Sequence, residues 1–104
     1  MKRVINGKRY DTETAEMVGS NSYSNYGDFQ YWCEELYRTN QGNWFVYGEG
    51  GAKSKFARAI GQNETAGGND ITPLTRGDAL AWLEVHNSGS DALEEYFSDV
   101  LEDA

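Results

Sequence analysis

The chain of 104 residues carries 17 acidic against 9 basic side chains, a formal net charge of −8, and its sequence pI is near 4.5. That length supports one core without metal or disulfide staples but not two. The field of such a polyanion repels nucleic acid and the anionic face of a membrane, so duplex binding through a basic surface is nearly excluded and a basic partner is the natural complement. Three Trp, seven Tyr and four Phe are too many for a disordered acidic segment, so residues 1–104 read as a single small acidic domain with an aromatic-rich core. Cys33, the one cysteine, cannot form an internal disulfide. No apolar run approaches membrane length, and residues 1–10 alternate charge with isolated apolar positions instead of resembling a secretory leader. The expectation is a soluble, intracellular protein.

In chain order, Lys2 to Ile5 and Lys8 to Tyr10 read as two short strands joined at Asn6-Gly7, a strong two-residue hairpin signal. Asp11-Thr12-Glu13-Thr14 is a turn leading into a short helix or strand over 15–18, ended by Gly19. Residues 20–28 form a polar, Tyr-bearing connection. Phe29 to Thr39 and Asn43 to Gly48, around the turn Asn40-Gln41-Gly42, are dense in aromatic residues and predict a central hairpin with both faces partly covered. Gly48 to Gly51 breaks it, and Phe56, Ala59 and Ile60 fall at helical spacing, predicting a short basic helix over 52–60 stopped by Gly61. A loop over 62–69 precedes an extended piece at 70–74 set by Pro73. Thr75 and Asp78 make a capping-box-like start to a helix from Arg76 to His86 that turns Ala79, Leu80, Trp82, Leu83 and His86 to the core and ends at 87–89. The predicted architecture is α+β, an antiparallel sheet of about four strands with two or three short helices packed on one face.

The charge is not spread evenly. Residues 1–76 contain equal numbers of acids and bases, whereas residues 77–104 contain Asp78, Glu84, Asp91, Glu94, Glu95, Asp99, Glu102 and Asp103 and no Lys or Arg. An acidic tail serves solubility in many small proteins. This one also has a pattern, because Leu93, Tyr96, Phe97, Val100 and Leu101 repeat on one helical face, predicting an amphipathic helix over about 90–103 with a ridge of carboxylates on its other side. Like charges at i and i+4 and acids near the C-terminal end oppose such a helix, so its apolar face must hold it down.

Chemical motifs are sparse. His86 has no second histidine or cysteine at ligand spacing and reads as a helix-terminal side chain satisfying a last-turn carbonyl. Cys33, inside an aromatic strand, reads as a small core residue. Gly48-Glu49-Gly50-Gly51 lacks the spacing of a phosphate loop and reads as a glycine turn. Asp28, Glu34, Glu35 and Glu49 contain the makings of a glycosidase-type carboxylate pair, in a domain with little room for a cleft. Among the aromatic residues, Trp44, Tyr37 and Phe45 are assigned to the core, while Tyr23 and Tyr26, in a polar Ser/Asn segment, are candidate contact residues. No catalytic residue, cofactor or metal ligand is assigned. The candidate partner-binding residues are Glu84, Asp91, Glu94, Glu95, Asp99, Glu102 and Asp103, with Tyr23 and Tyr26.

Two stretches, Lys8-Arg9-Tyr10-Asp11-Thr12-Glu13-Thr14-Ala15 and Leu36-Tyr37-Arg38-Thr39 running into Gly42-Asn43-Trp44-Phe45 and Gly48-Glu49-Gly50-Gly51, resemble a family of small proteins of phages and other mobile elements. The likeness spans roughly residues 1–86 and leaves the acidic extension outside. Some members look like anti-CRISPR proteins, which block a CRISPR effector by binding it, sometimes as mimics of DNA. The resemblance implies a non-enzymatic inhibitor in the bacterial cytoplasm whose partner is a basic nucleic-acid-binding protein, a CRISPR effector subunit. The rival expectations are an adaptor or antitoxin-like partner of another basic protein, and a small carboxylate hydrolase.

Overall fold

The computed structural model describes residues 1–25, 27–62, 64–86 and 90–104. It is α+β, with a four-stranded antiparallel sheet and two α-helices. The strands are β1 (Lys2–Ile5), β2 (Lys8–Asp11), β3 (Glu16–Tyr23), β4 (Trp32–Arg38), β5 (Trp44–Gly50), β6 (Arg58–Gly61), β7 (Glu64–Ala66) and β8 (Gly68–Leu74), followed by α1 (Arg76–His86) and α2 (Ser90–Phe97). The main sheet has the order β3-β4-β5-β8, and β1-β2 and β6-β7 are separate two-stranded hairpins. Among the described residues three sheets therefore stand where one was expected.

The first hairpin turns at Asn6 and Gly7, with φ of 51° and 78°. Asparagine and glycine tolerate this left-handed backbone, and it matches the twist of the flanking strands. In β4 and β5, side chains alternate between the faces, and the register places Leu36 opposite Val46 and Tyr37 opposite Phe45. Leu36, Trp44 and Val46 therefore share one face, where they pack with Ala79 and Leu83 of α1 and Phe97 of α2. Tyr37, Phe45 and Ile71 share the opposite face, closed by Tyr10 of the first hairpin. The Tyr10 ring meets Phe45 edge-on at 5.5 Å, and Tyr37 stacks on Phe45 at 5.1 Å. Trp44, Tyr37 and Phe45 are all buried, as composition and pattern predicted.

Several local expectations yield to tertiary packing. Gly19 does not end an element. It lies at a register shift inside β3, which runs on through the segment expected to be a connection because each of its residues from Gly19 to Tyr23 has a partner in β4. β4 begins at Trp32, three residues later than the aromatic pattern suggested. The expected helix over 52–60 is replaced by turns and β6, which pairs with β7 inside the expected loop over 62–69. Ser54 is one cause, since its hydroxyl donates to the Gly51 carbonyl at 2.8 Å and accepts from the Phe56 amide at 3.1 Å, a local arrangement that competes with helix. The other cause is Phe56, whose ring lies over Gly48 where any β-carbon would overlap it. Gly48 and Gly50 thus belong to β5 instead of breaking it, and they are glycines because Phe56 and Ser54 occupy the side-chain space.

The C-terminal helix is shorter than its apolar pattern. It ends at Phe97, a single 3₁₀ turn covers Ser98–Val100, and Leu101 is extended. Phe97 is fully buried against Trp44, ring centroids 5.2 Å apart, while Val100 and Leu101 remain 48% and 39% exposed. The Phe97→Ala substitution is accordingly expected to cost about 3–5 kcal/mol and Val100→Ala less than about 0.5 kcal/mol, read as a large against a negligible fall in thermal midpoint. Gly48→Ala should cost about 1–3 kcal/mol by forcing Phe56 off the sheet.

Candidate functional site

On α2 the side chains divide by face. Ala92, Leu93, Tyr96 and Phe97 turn inward against the Leu36/Trp44/Val46 cluster, and Asp91, Glu94 and Glu95 are exposed. Three carboxylates over an axial rise of about 6 Å stand on average about 3 Å apart along the axis, comparable to the phosphate spacing of about 3.4 Å along one strand of duplex DNA. Glu84 is exposed on α1, and Glu102 and Asp103 are exposed beyond the 3₁₀ turn.

Asp99 differs from the other acids. Arg76, the first residue of α1, donates to its two carboxylate oxygens at 2.6 and 3.2 Å and to the Tyr96 carbonyl at 2.8 Å, with its guanidinium 4.8 Å from the Phe97 ring centroid. A positive charge therefore sits at the C-terminal end of α2, where the dipole is negative and carbonyls lack helical partners. Arg38 adds a second cation 5.5 Å from the Tyr96 ring. The expected ridge of six carboxylates is thus corrected. Asp99 is a ligand of Arg76, and Glu102 and Asp103 continue off a helix that has already ended. Tyr96, desolvated and hydrogen-bonded to Glu16, has its phenol pushed up to about 12.

Tyr23, at the end of β3, is 52% exposed and stacks on Trp32 at 6.2 Å. The Lys55 ammonium lies 3.9 Å from the Trp32 ring centroid and 3.2 Å from Glu34, so Lys55, Trp32 and Tyr23 form one cation–aromatic ladder. Tyr26, the other candidate contact residue, lies outside the described residues, as does the predicted end of α1 at 87–89.

The carboxylates considered for hydrolysis separate. Glu34 points to the helix-bearing face and pairs with Lys55, and Asp28 sits in the turn over 27–30, held below the usual carboxylate range by the Gln30 amide, the Ser24 hydroxyl and Lys53. Glu35 and Glu49 share the opposite face of β4 and β5. Each accepts from a tyrosine two residues away, Tyr37 to Glu35 at 3.0 Å and Tyr47 to Glu49 at 2.8 Å. Desolvation and the neighbouring carboxylate push Tyr37 to about 12 and Tyr47 higher still. The signal for these pairs is in the sequence, since Glu35-x-Tyr37 and Tyr47-x-Glu49 have the i, i+2 spacing that puts side chains on one face of a strand. Cys33 belongs to this polar face and not to the core. Its thiol lies 3.7 Å from Glu49, and burial raises its pKa, which disfavours a thiolate.

His86 also differs from expectation, as it bonds a side chain instead of a helix carbonyl. The Asn21 side-chain amide lies 2.8 Å from Nδ1. Among the described residues no group of three or more His, Cys, Asp or Glu could hold a metal ion, and no helix is long and apolar enough to cross a membrane.

Comparison with protein-family profiles, with curated proteins and with solved structures finds no match for this chain.

The Arg76 contact makes the C-terminal element sensitive to acid. The guanidinium holds the Asp99 carboxyl below its ordinary value, and a group whose folded pKa is depressed stabilises above the unfolded value of about 3.9 and loses that effect as pH falls through the folded one. Asp99→Asn should therefore melt below the parent at pH 7, with the gap closing as pH drops below about 4, measured as thermal midpoint against pH.

Proposed function

We propose that the protein is a non-enzymatic inhibitor of a CRISPR effector complex. It binds a basic nucleic-acid-binding subunit and blocks access of nucleic acid through the carboxylates of its C-terminal quarter. The observation that carries this reading is the acidic strip Asp91, Glu94 and Glu95, exposed on a helix whose other face is locked against the sheet. A locked helix presents its charges in a fixed array, so little ordering entropy is lost on binding. CRISPR effectors hold their nucleic acid in positively charged channels, to which such an array is complementary. The resemblance of residues 8–15 and 36–51 to small phage and mobile-element proteins supports the same assignment. Glu84, Glu102 and Asp103 extend the acidic surface, and Tyr23, exposed on its aromatic ladder, is a further contact residue.

Reversing Asp91, Glu94, Glu95 and Glu102 to Lys tests this while sparing Asp99 and its anchor. Like-charge contact in a cationic channel costs several kcal/mol, so effector binding should weaken at least about 100-fold with an unchanged circular-dichroism spectrum. Interference against phage or plasmid should return. A folded reversal variant that inhibits as well as the parent would overturn the reading.

A further inference from the structure

The first hairpin, on the side of the sheet away from the helices, has the opposite charge character. Lys2, Arg3, Lys8 and Arg9 of the first hairpin are all exposed, and residues 1–10 contain no carboxylate side chain. Arg3 is engaged in an ion pair with Asp70. Lys8 and Arg9 border a cleft of about 470 Å³ between the hairpin and the β4–β5 turn, also lined by the amide side chains of Asn40, Gln41 and Asn43, with Asp11 its one carboxylate among the described residues. Among those residues the Lys8 and Arg9 side chains make no hydrogen bond or ion pair. A cleft of this volume is in the range that holds small ligands or side-chain clusters. Two uncommitted cations beside three amides suit an anionic hydrogen-bond acceptor, above all a carboxylate.

The chain also carries a matching segment. Residues 101–104 are exposed and leave the 3₁₀ turn with extended backbone at Leu101. Glu102 and Asp103 have no ion-pair partner among the described residues. Arg76 ties the root of this segment to α1 through Asp99 and the Tyr96 carbonyl, on the helix-bearing side, whereas the cleft adjoins the hairpin that closes the other face. The segment lies outside its own cleft. The segment brings two carboxylates, one for each of the two cations.

We propose that Glu102 and Asp103 of a second copy of this chain occupy the cleft beside Lys8 and Arg9, the two copies exchanging their C-terminal segments reciprocally. Such an exchange is two-fold symmetric and closes at the dimer. It shares Glu102 and Asp103 with the proposed effector surface but is tested with this protein alone, so the two readings fail separately.

Sedimentation equilibrium of the full chain over a range of concentrations tests it with two charge-reversed proteins, K8E/R9E and E102K/D103K. The parent is expected to dimerise, and each variant alone to do so at least about tenfold more weakly. An equimolar mixture of the two should regain the parent's affinity, since each reversed cleft then meets a reversed segment. One chain carrying all four reversals should dimerise as well, which keeps the test open if either variant alone fails to fold. A parent that is monomeric throughout, or a variant that dimerises undiminished, would overturn the proposal. So would a mixture of folded variants that stays monomeric.

Discussion

The structure depends on the need to cover the β4–β5 pair on both faces. Trp44, Phe45, Val46 and Tyr47 alternate along β5, so large apolar groups stand on both sides and neither can face water. Tyr10 covers one side, and α1 and α2 the other. Each cover brings a piece of distant sequence to the centre. Phe97 reaches Trp44 from 53 positions away in the numbering, and Tyr10 reaches Phe45 from 35. Where β5 passes beyond the helices its side chains on that face shrink to Gly48 and Gly50, and Phe56 and Ser54 lie over them. The same glycines allow a third segment to serve as cover.

Covering the sheet in this way also separates charge. The basic N-terminal hairpin lies over one face, and the acidic helices lie over the other. The acidic side is not left to repel itself. Arg76 and Arg38 sit against the aromatic residues of α2 at its C-terminal end, the position at which a cation offsets both the helix dipole and the neighbouring carboxylates. Arg76 serves as a cap although it belongs to the neighbouring helix, and the geometry leaves Asp91, Glu94 and Glu95 as the carboxylates presented outward from α2.

The middle of the sheet shows how the polar residues of a small fold are accommodated. Glu35 and Glu49 do not face each other as a bare pair. Each is engaged by the tyrosine beside it on the same strand face. Burial first, and donation to a carboxylate second, make the Tyr37 and Tyr47 phenols keep their protons more tightly, so these contacts act as fixed hydrogen bonds and rigidify the face.

Much of this was legible in the residues alone, where the cause is local. Asn6-Gly7 specifies its hairpin because few other dipeptides accept two left-handed residues in a row. Thr75 starts α1 because its hydroxyl accepts from the Asp78 amide, at 3.1 Å, whatever surrounds it. The alternation in β5 and the crowding of acids after Arg76 are likewise properties of spacing and composition. What tertiary structure decided is where two signals compete or a partner is remote. Residues 52–60 have helical spacing, yet docking of Phe56 and Ser54 on the glycines of β5 outweighs a nucleus that nine residues scarcely support. Val100 and Leu101 continue an apolar stripe on paper, but the helix stops at Phe97, where Arg76 takes the carbonyl of Tyr96. Nothing in the sequence near residue 97 announces an arginine 21 positions earlier, because contacts of that separation are set by how the layers stack and not by any local preference of the chain.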